Sequence, residues 1–234
     1  GHTSVADTTS HGAYLLNVNT TIGVPSTDAG VCNDRTDMLN AETIVFHASN
    51  PAWSAAGTPS YHYIRAKEAG VKFIVIDPIY TASAQILDAY WIPVRTGTDT
   101  AFFLGVASEM LRLDKEEGDV VDWDFLDKYT VGFDADHKPE DLKEDVNFLD
   151  YLNGKYDGIE KTAEWASEIC GVTVEQITYF AREIGKTHNV WMLHNFAAAR
   201  CNGSENLPQI FMTVSAMGGH YGKPGNCSAN NYHA

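Results

Sequence analysis

The chain has 234 residues, enough for one large domain or a domain and a half, and 44% of them are hydrophobic, so it can bury a real core. Its formal net charge is -15, from 31 acidic against 16 basic residues. That balance argues against nucleic acid as a partner, because phosphate binding needs a basic face, and the acidity is read as serving solubility. No apolar run approaches the roughly 18 residues of a membrane helix, so no direct membrane insertion is expected. Cys32, Cys170, Cys201 and Cys227 lie far apart with no Cys-x-x-Cys. They give no basis for zinc or an iron–sulfur cluster on this chain and are read as structural thiols, with a disulfide as the alternative that sequence leaves open.

Gly1 to Asp37 is rich in Thr, Ser, Asn and Gly, with one helical patch over Thr9 to Asn17. It reads as a lead-in from an adjacent domain, and residues 38–234 as an α/β domain. With no initiator Met and loop-like text at both ends, the chain is expected to be a piece of a longer protein. Two apolar runs follow. Thr43-Ile-Val-Phe-His-Ala48 stops at Ser49-Asn50-Pro51, and Val71-Lys-Phe-Ile-Val-Ile76 stops at Asp77-Pro78. Between them Pro59 to Gly70 reads as a helix with Tyr61, Ile64 and Ala69 on its apolar side. This is a β-α-β unit with parallel strands and a right-handed crossover. Ligands in such sheets sit at the carboxyl ends of the strands, where Asn50 and Asp77 fall.

A third run, Tyr90-Trp-Ile-Pro-Val94, leads to Arg95-Thr-Gly-Thr-Asp99. Thr98 is placed to cap a helix from Asp99 to Leu113, and Asp99 in its first turn suits the helix dipole. Val121 to Tyr129 is a shorter helix. Asp134 to Asp157 is an acidic surface excursion. Thr162 to Ile169 is a helix stopped by Gly171, and Thr173-Val-Glu-Gln176 is a capping box opening the next. Asn189 to His194 is a buried strand, Glu205 to Met217 a helix, and Gly218 to Gly225 a glycine-rich loop.

A carboxylate at a strand end can accept from ribose hydroxyls or from two guanine N–H groups, and Asp77 and Asp99 suit such roles. The competing reading is that both only cap helices. Gly97 would let backbone approach a ligand closely. There is no Gly-x-Gly-x-x-Gly, Gly-x-Ser-x-Gly or phosphate-binding Lys loop. His47 reads as a satisfied core histidine. His11, His194 and His220 are weak functional signals.

The ordered set of motifs resembles one family. Ser49-Asn50-Pro51 is similar to its Asn-Asn-Pro, Ile76-Asp77-Pro78-Ile79-Tyr80-Thr81 to its Ile-Asp-Pro-Arg-Tyr-Thr, and Trp91-Ile-Pro-Val-Arg95-Thr96-Gly97-Thr98-Asp99 to its Trp-Ile-Pro-Ile-Arg-Pro-Gly-Thr-Asp. Phe125 to Asp134, Thr162 to Ala166, Ala181 to Gly185, Arg200 to Glu205 and Gly222 to Gly225 follow in order. These are motifs of the dimethyl sulfoxide reductase family, whose catalytic subunits carry molybdenum on two molybdopterin guanine dinucleotides. The resemblance covers nearly the whole chain.

It implies a Rossmann-like parallel sheet with helices on both faces, the dinucleotide-binding domain of a larger molybdoenzyme. Ser49, Asn50, Pro51, Asp77, Pro78, Tyr80, Thr81, Arg95, Gly97, Thr98, Asp99, Asn195 and Arg200 match cofactor-facing positions. Ser4, in Gly1-His-Thr-Ser4, matches a serine that ligates molybdenum (or tungsten) and is the candidate metal ligand and catalytic residue. An iron–sulfur cluster would belong to another domain of the parent. Implied partners are the rest of the catalytic subunit, an iron–sulfur electron-transfer subunit and a small-molecule substrate, with a periplasmic or cell-envelope site in bacteria. Ile79, Thr96 and His194-Asn-Phe depart from the family's Arg, Pro and Gly-Trp. The implied activity is two-electron oxygen-atom or hydroxyl transfer. The alternatives are a non-redox hydratase or transhydroxylase, and a cofactor-free scaffold.

Overall fold

The computed structural model describes residues 21, 33–54, 58–139, 146–195, 197, 198, 201 and 203–230. The candidate metal ligand Ser4, the Thr9 to Asn17 patch, Cys32 and Arg200 lie outside them.

Five parallel strands form one sheet: β1 (Thr43–His47), β2 (Lys72–Ile76), β3 (Tyr90–Ile92), β4 (Val190–His194) and β5 (Cys227–Asn230). Their order is β3-β2-β1-β4-β5, with all pairs parallel. The first crossovers build outward from β1 through β2 to β3, and the chain then returns to the other edge of β1. The order reverses between β1 and β4, which makes their carboxyl ends the switch point of a doubly wound sheet. The expected α/β fold is present. β1 and β4 are buried at every position, which is why they read as continuous apolar runs rather than alternating ones.

Helices cover both faces. On one, α1 (Pro51–Ser54), α2 (Thr58–Glu68) and α3 (Ala82–Leu87) follow the first strands. Tyr63 and Ala66 of α2 and Ala84 and Leu87 of α3 pack with Ile44, Phe46, Phe73, Val75 and Trp191. The expected apolar side of α2 is corrected here. Tyr61 is 58% and Ile64 41% exposed, whereas Tyr63 and Ala66 are buried. Tyr63 sits edge-on to Phe46, and that aromatic contact, not the i, i+3 stripe of Tyr61 and Ile64, sets which way the helix faces.

The other face holds α4 (Asp99–Glu117), α5 (Trp123–Tyr129), α6 (Phe148–Leu152), α7 (Ala163–Cys170), α8 (Val174–Glu183) and α9 (Leu207–Met217). Phe102, Phe103, Val106 and Met110 of α4 meet Ile177 and Phe180 of α8 and Phe211 of α9. Thr81, Asp122, Asn147, Thr162 and Thr173 each accept a backbone N–H at their helix start. Only half of the expected capping box forms. Thr173 accepts from Gln176, but the Gln176 amide donates to the Trp91 carbonyl. Cys170, Cys201 and Cys227 form no disulfide among the described residues. No described helix is long and apolar enough to cross a membrane.

Candidate functional site at the sheet's carboxyl edge

β1 ends in a tight bend. Ala48 has φ 51°, in the left-handed region that a residue with a Cβ enters at a cost. The bend turns Ser49 and Asn50 over the strand ends. Asn50 accepts from Ser83 twice through Oδ1, from the backbone N–H at 3.1 Å and from Oγ at 2.7 Å. The Ala52 N–H in turn donates to Ser83 Oγ. These donors fix the amide orientation, so Asn50 Nδ2 points away as a donor with no hydrogen bond among the described residues. Pro51 is buried at the start of α1, and Thr81 is spent as the cap of α3.

Asp77 follows β2. Its Oδ1 accepts the Ile79 N–H at 3.1 Å, and its backbone carbonyl accepts from Trp91 Nε1 at 2.8 Å. Burial pushes its carboxyl pKa up, against the hydrogen bond from Ile79. Pro78, Ile79 and Tyr80 are exposed beside it, and Tyr80 meets Trp91 edge-on. A half-buried carboxylate thus lies next to an open apolar shelf.

Asp99 begins α4 and is 8% exposed. Its Oδ1 accepts from His47 Nε2 at 2.8 Å, and His47 Nδ1 lies 2.6 Å from His194 Nδ1. Burial would raise the Asp99 carboxyl, but the His47 hydrogen bond and charge outweigh it and hold the group below the usual carboxylate range. His47 and His194 are register partners on β1 and β4, so their rings point to one face, at the switch point. They stack at 14° with centroids 4.5 Å apart. Phe103 meets His47 edge-on and Phe211 stacks on His194. The sequence indicated a satisfied core histidine at 47. It did not indicate the link to Asp99 and His194, because that depends on β4 pairing with β1.

Thr98 and Arg95 make their hydrogen bonds within the protein, and the expected Thr98 cap does not form. Thr98 stands at the start of α4, but its hydroxyl donates to the Arg95 carbonyl and caps nothing. The Arg95 guanidinium donates to the Ile169 carbonyl at 2.6 Å, at the carboxyl end of α7, where a cation suits the dipole. Gly97, at φ 79°, occupies a conformation that favours glycine. Asn195 Nδ2 donates to Ser49 Oγ at 3.4 Å across the switch point. The structure therefore gathers Ser49, Asn50, Asp77, Gly97, Asp99 and Asn195 at one edge.

No protein-family model matches the chain. It is 33% identical over 194 residues to the dimethyl sulfoxide reductase DmsA of Haemophilus influenzae, covering 81% of this chain and 23% of that protein. To the biotin sulfoxide reductase of Cereibacter sphaeroides it is 30% identical over 238 residues, covering 96% and 29%. Among solved structures it is similar to acetylene hydratase from Pelobacter acetylenicus, with a TM-score of 0.62 and 19% identity, over 92% of this chain and 25% of that one. That last likeness is one of fold. The chain spans about a quarter of the length of these relatives.

Proposed function

The chain belongs to the dimethyl sulfoxide reductase family, and from that premise we propose that it supplies part of the guanine-dinucleotide cradle in the catalytic subunit of a molybdenum oxidoreductase. The observation that carries this reading is the convergence of two carboxylates, Asp77 and Asp99, on the carboxyl edge of a doubly wound sheet. The residues fit a guanosine. Asp77 offers Oδ2 to base N–H or ribose O–H donors, and the exposed Ile79 and Tyr80 offer a surface for a flat ring. Asn50 Nδ2 supplies a donor for an acceptor oxygen. Gly97 keeps the backbone before α4 bare of side chain, so a polar group can approach the N–H groups at the helix start.

When bound, the molybdenum cofactor supplies two-electron oxygen-atom or hydroxyl transfer, and the protein positions it. In this chain Ser49 and Asn195 bridge β1 to β4, while Pro51 and Thr81 hold the loops after β1 and β2. Arg95 sets the entry to α4 by anchoring on α7. Ser4 as metal ligand and Arg200 beside a pterin complete the proposed set. The rest of the catalytic subunit, an iron–sulfur electron-transfer subunit and a small substrate are the proposed partners.

The test is molybdenum, tungsten and released guanine nucleotide in the full-length protein purified without oxygen. One metal and about two guanine nucleotides per chain are expected, with Asp77→Asn and Asp99→Asn each lowering nucleotide content. Well-folded protein with neither metal nor guanine nucleotide overturns the proposal.

A further inference from the structure

Asp99, His47 and His194 form one hydrogen-bonded line beneath the switch point. All three are buried, and the line ends at the residue that opens α4. A carboxylate only accepts, so His47 Nε2 carries a proton. His47 Nδ1 faces His194 Nδ1 at 2.6 Å, a contact in which one ring donates and the other accepts. The second histidine thereby constrains where the first ring carries its protons and which way its Nε2–H points. Phe103 and Phe211 pack on the rings and hold their planes.

The start of α4 gives this line a task. The Thr98 hydroxyl is turned to Arg95 and does not cap the helix. The Asp99 carboxylate lies at the helix start and accepts the backbone N–H groups of Gly97 and of Asp99 itself. His47 Nε2 adds a side-chain donor that fixes Oδ1. We infer that His47 and His194 are positioning residues, which hold Asp99 in one orientation with Oδ1 shielded and Oδ2 presented to a polar donor of the guanosine at the sheet edge. The inference rests on the dinucleotide reading above and extends it to two residues whose side chains point away from the ligand into the core.

Five variants of the full-length protein test it, with guanine nucleotide released per folded chain as the readout. His47→Gln keeps an amide donor near the position of Nε2, and His47→Leu fills the space without one. His47→Leu is expected to lower nucleotide content at least fivefold, while His47→Gln stays within twofold of the parent. His47→Leu combined with Asp99→Asn should be no lower than Asp99→Asn alone, since one interaction cannot be lost twice. His194→Phe, which keeps the stack on Phe211 but removes the Nδ1 hydrogen-bond partner of His47, should give an intermediate loss. Full retention in His47→Leu or His194→Phe overturns the inference. So does equal loss in His47→Gln and His47→Leu, which marks a packing role. Absence of guanine nucleotide from the well-folded parent sinks the dinucleotide reading itself, an outcome distinct from either.

Discussion

Replacing Gly105 by alanine puts a methyl group where α4 crosses α7. A Cβ built at Gly105 lies 2.3 Å from Ala166 Cβ, and the next atom, the Thr162 carbonyl oxygen, is at 3.4 Å. Neither methyl can rotate away, because a Cβ is fixed by its own backbone, so the two helices must separate. Overpacking of this kind costs about 1–3 kcal/mol, and the rigid clash places it near the upper end. Alanine in place of glycine within a helix returns about 1 kcal/mol. A net loss of about 2 kcal/mol, at roughly 2–4 °C per kcal/mol for a chain of this size, lowers the melting midpoint by roughly 4–8 °C. The assay is thermal unfolding followed by circular dichroism. Gly105→Ala combined with Ala166→Gly moves the methyl to the other helix and exchanges the propensities. That double variant should melt within about 1 kcal/mol of the parent. A single variant as stable as the parent would refute the reasoning, as would a double variant no better than the single.

The remaining predictions concern charge. Burial pushes the His194 pKa down to about 3 from 6.5. The unfolded chain thus binds the extra proton first, and stability is fully present above about pH 6.5 and drains away as pH falls toward 3. The limit is one proton, or about 1.4 kcal/mol per pH unit. His194→Phe should flatten urea-derived stability against pH in that window, and an unchanged slope would contradict the assignment. Arg95→Ala should cost about 1 kcal/mol through the carboxyl end of α7 and lower guanine nucleotide per folded chain by less than Asp99→Asn does. A loss as large as that of Asp99→Asn would mean that the guanidinium itself touches the ligand.

Legibility followed the range of the forces involved. β1, β2 and β4 stood out because a strand buried on both faces needs an unbroken apolar run. Helix starts at Asp99, Ala163 and Val174 were legible within two residues because threonines and turn residues precede them. β5 was not, since Cys-Ser-Ala-Asn after a glycine-rich loop has no apolar period, and only pairing with β4 makes it a strand. α3 is a six-residue helix whose cap, Thr81, sits inside a motif read for its ligand role. At the site, Asn50, Asp77 and Asp99 were visible as polar stops after apolar runs. The roles of Arg95 and Thr98 were not, because both contacts run to carbonyl groups that sequence does not locate. The histidine pair was hidden most deeply, by a separation of 147 residues.

That separation sets a timetable. β1 is the middle strand, yet its second neighbour leaves the ribosome 147 residues later. At about 5–20 residues per second this is a wait of roughly 7–30 s. During it β3, β2 and β1 can assemble with their helices, but one edge of β1 stays open and His47 has no partner histidine. An open apolar strand edge invites pairing with another chain, so the nascent half-sheet is the stage at which a holding chaperone has most to shield. The arrival of β4 closes that edge and completes the Asp99 line in one event, so the cradle is finished only once β4 has emerged.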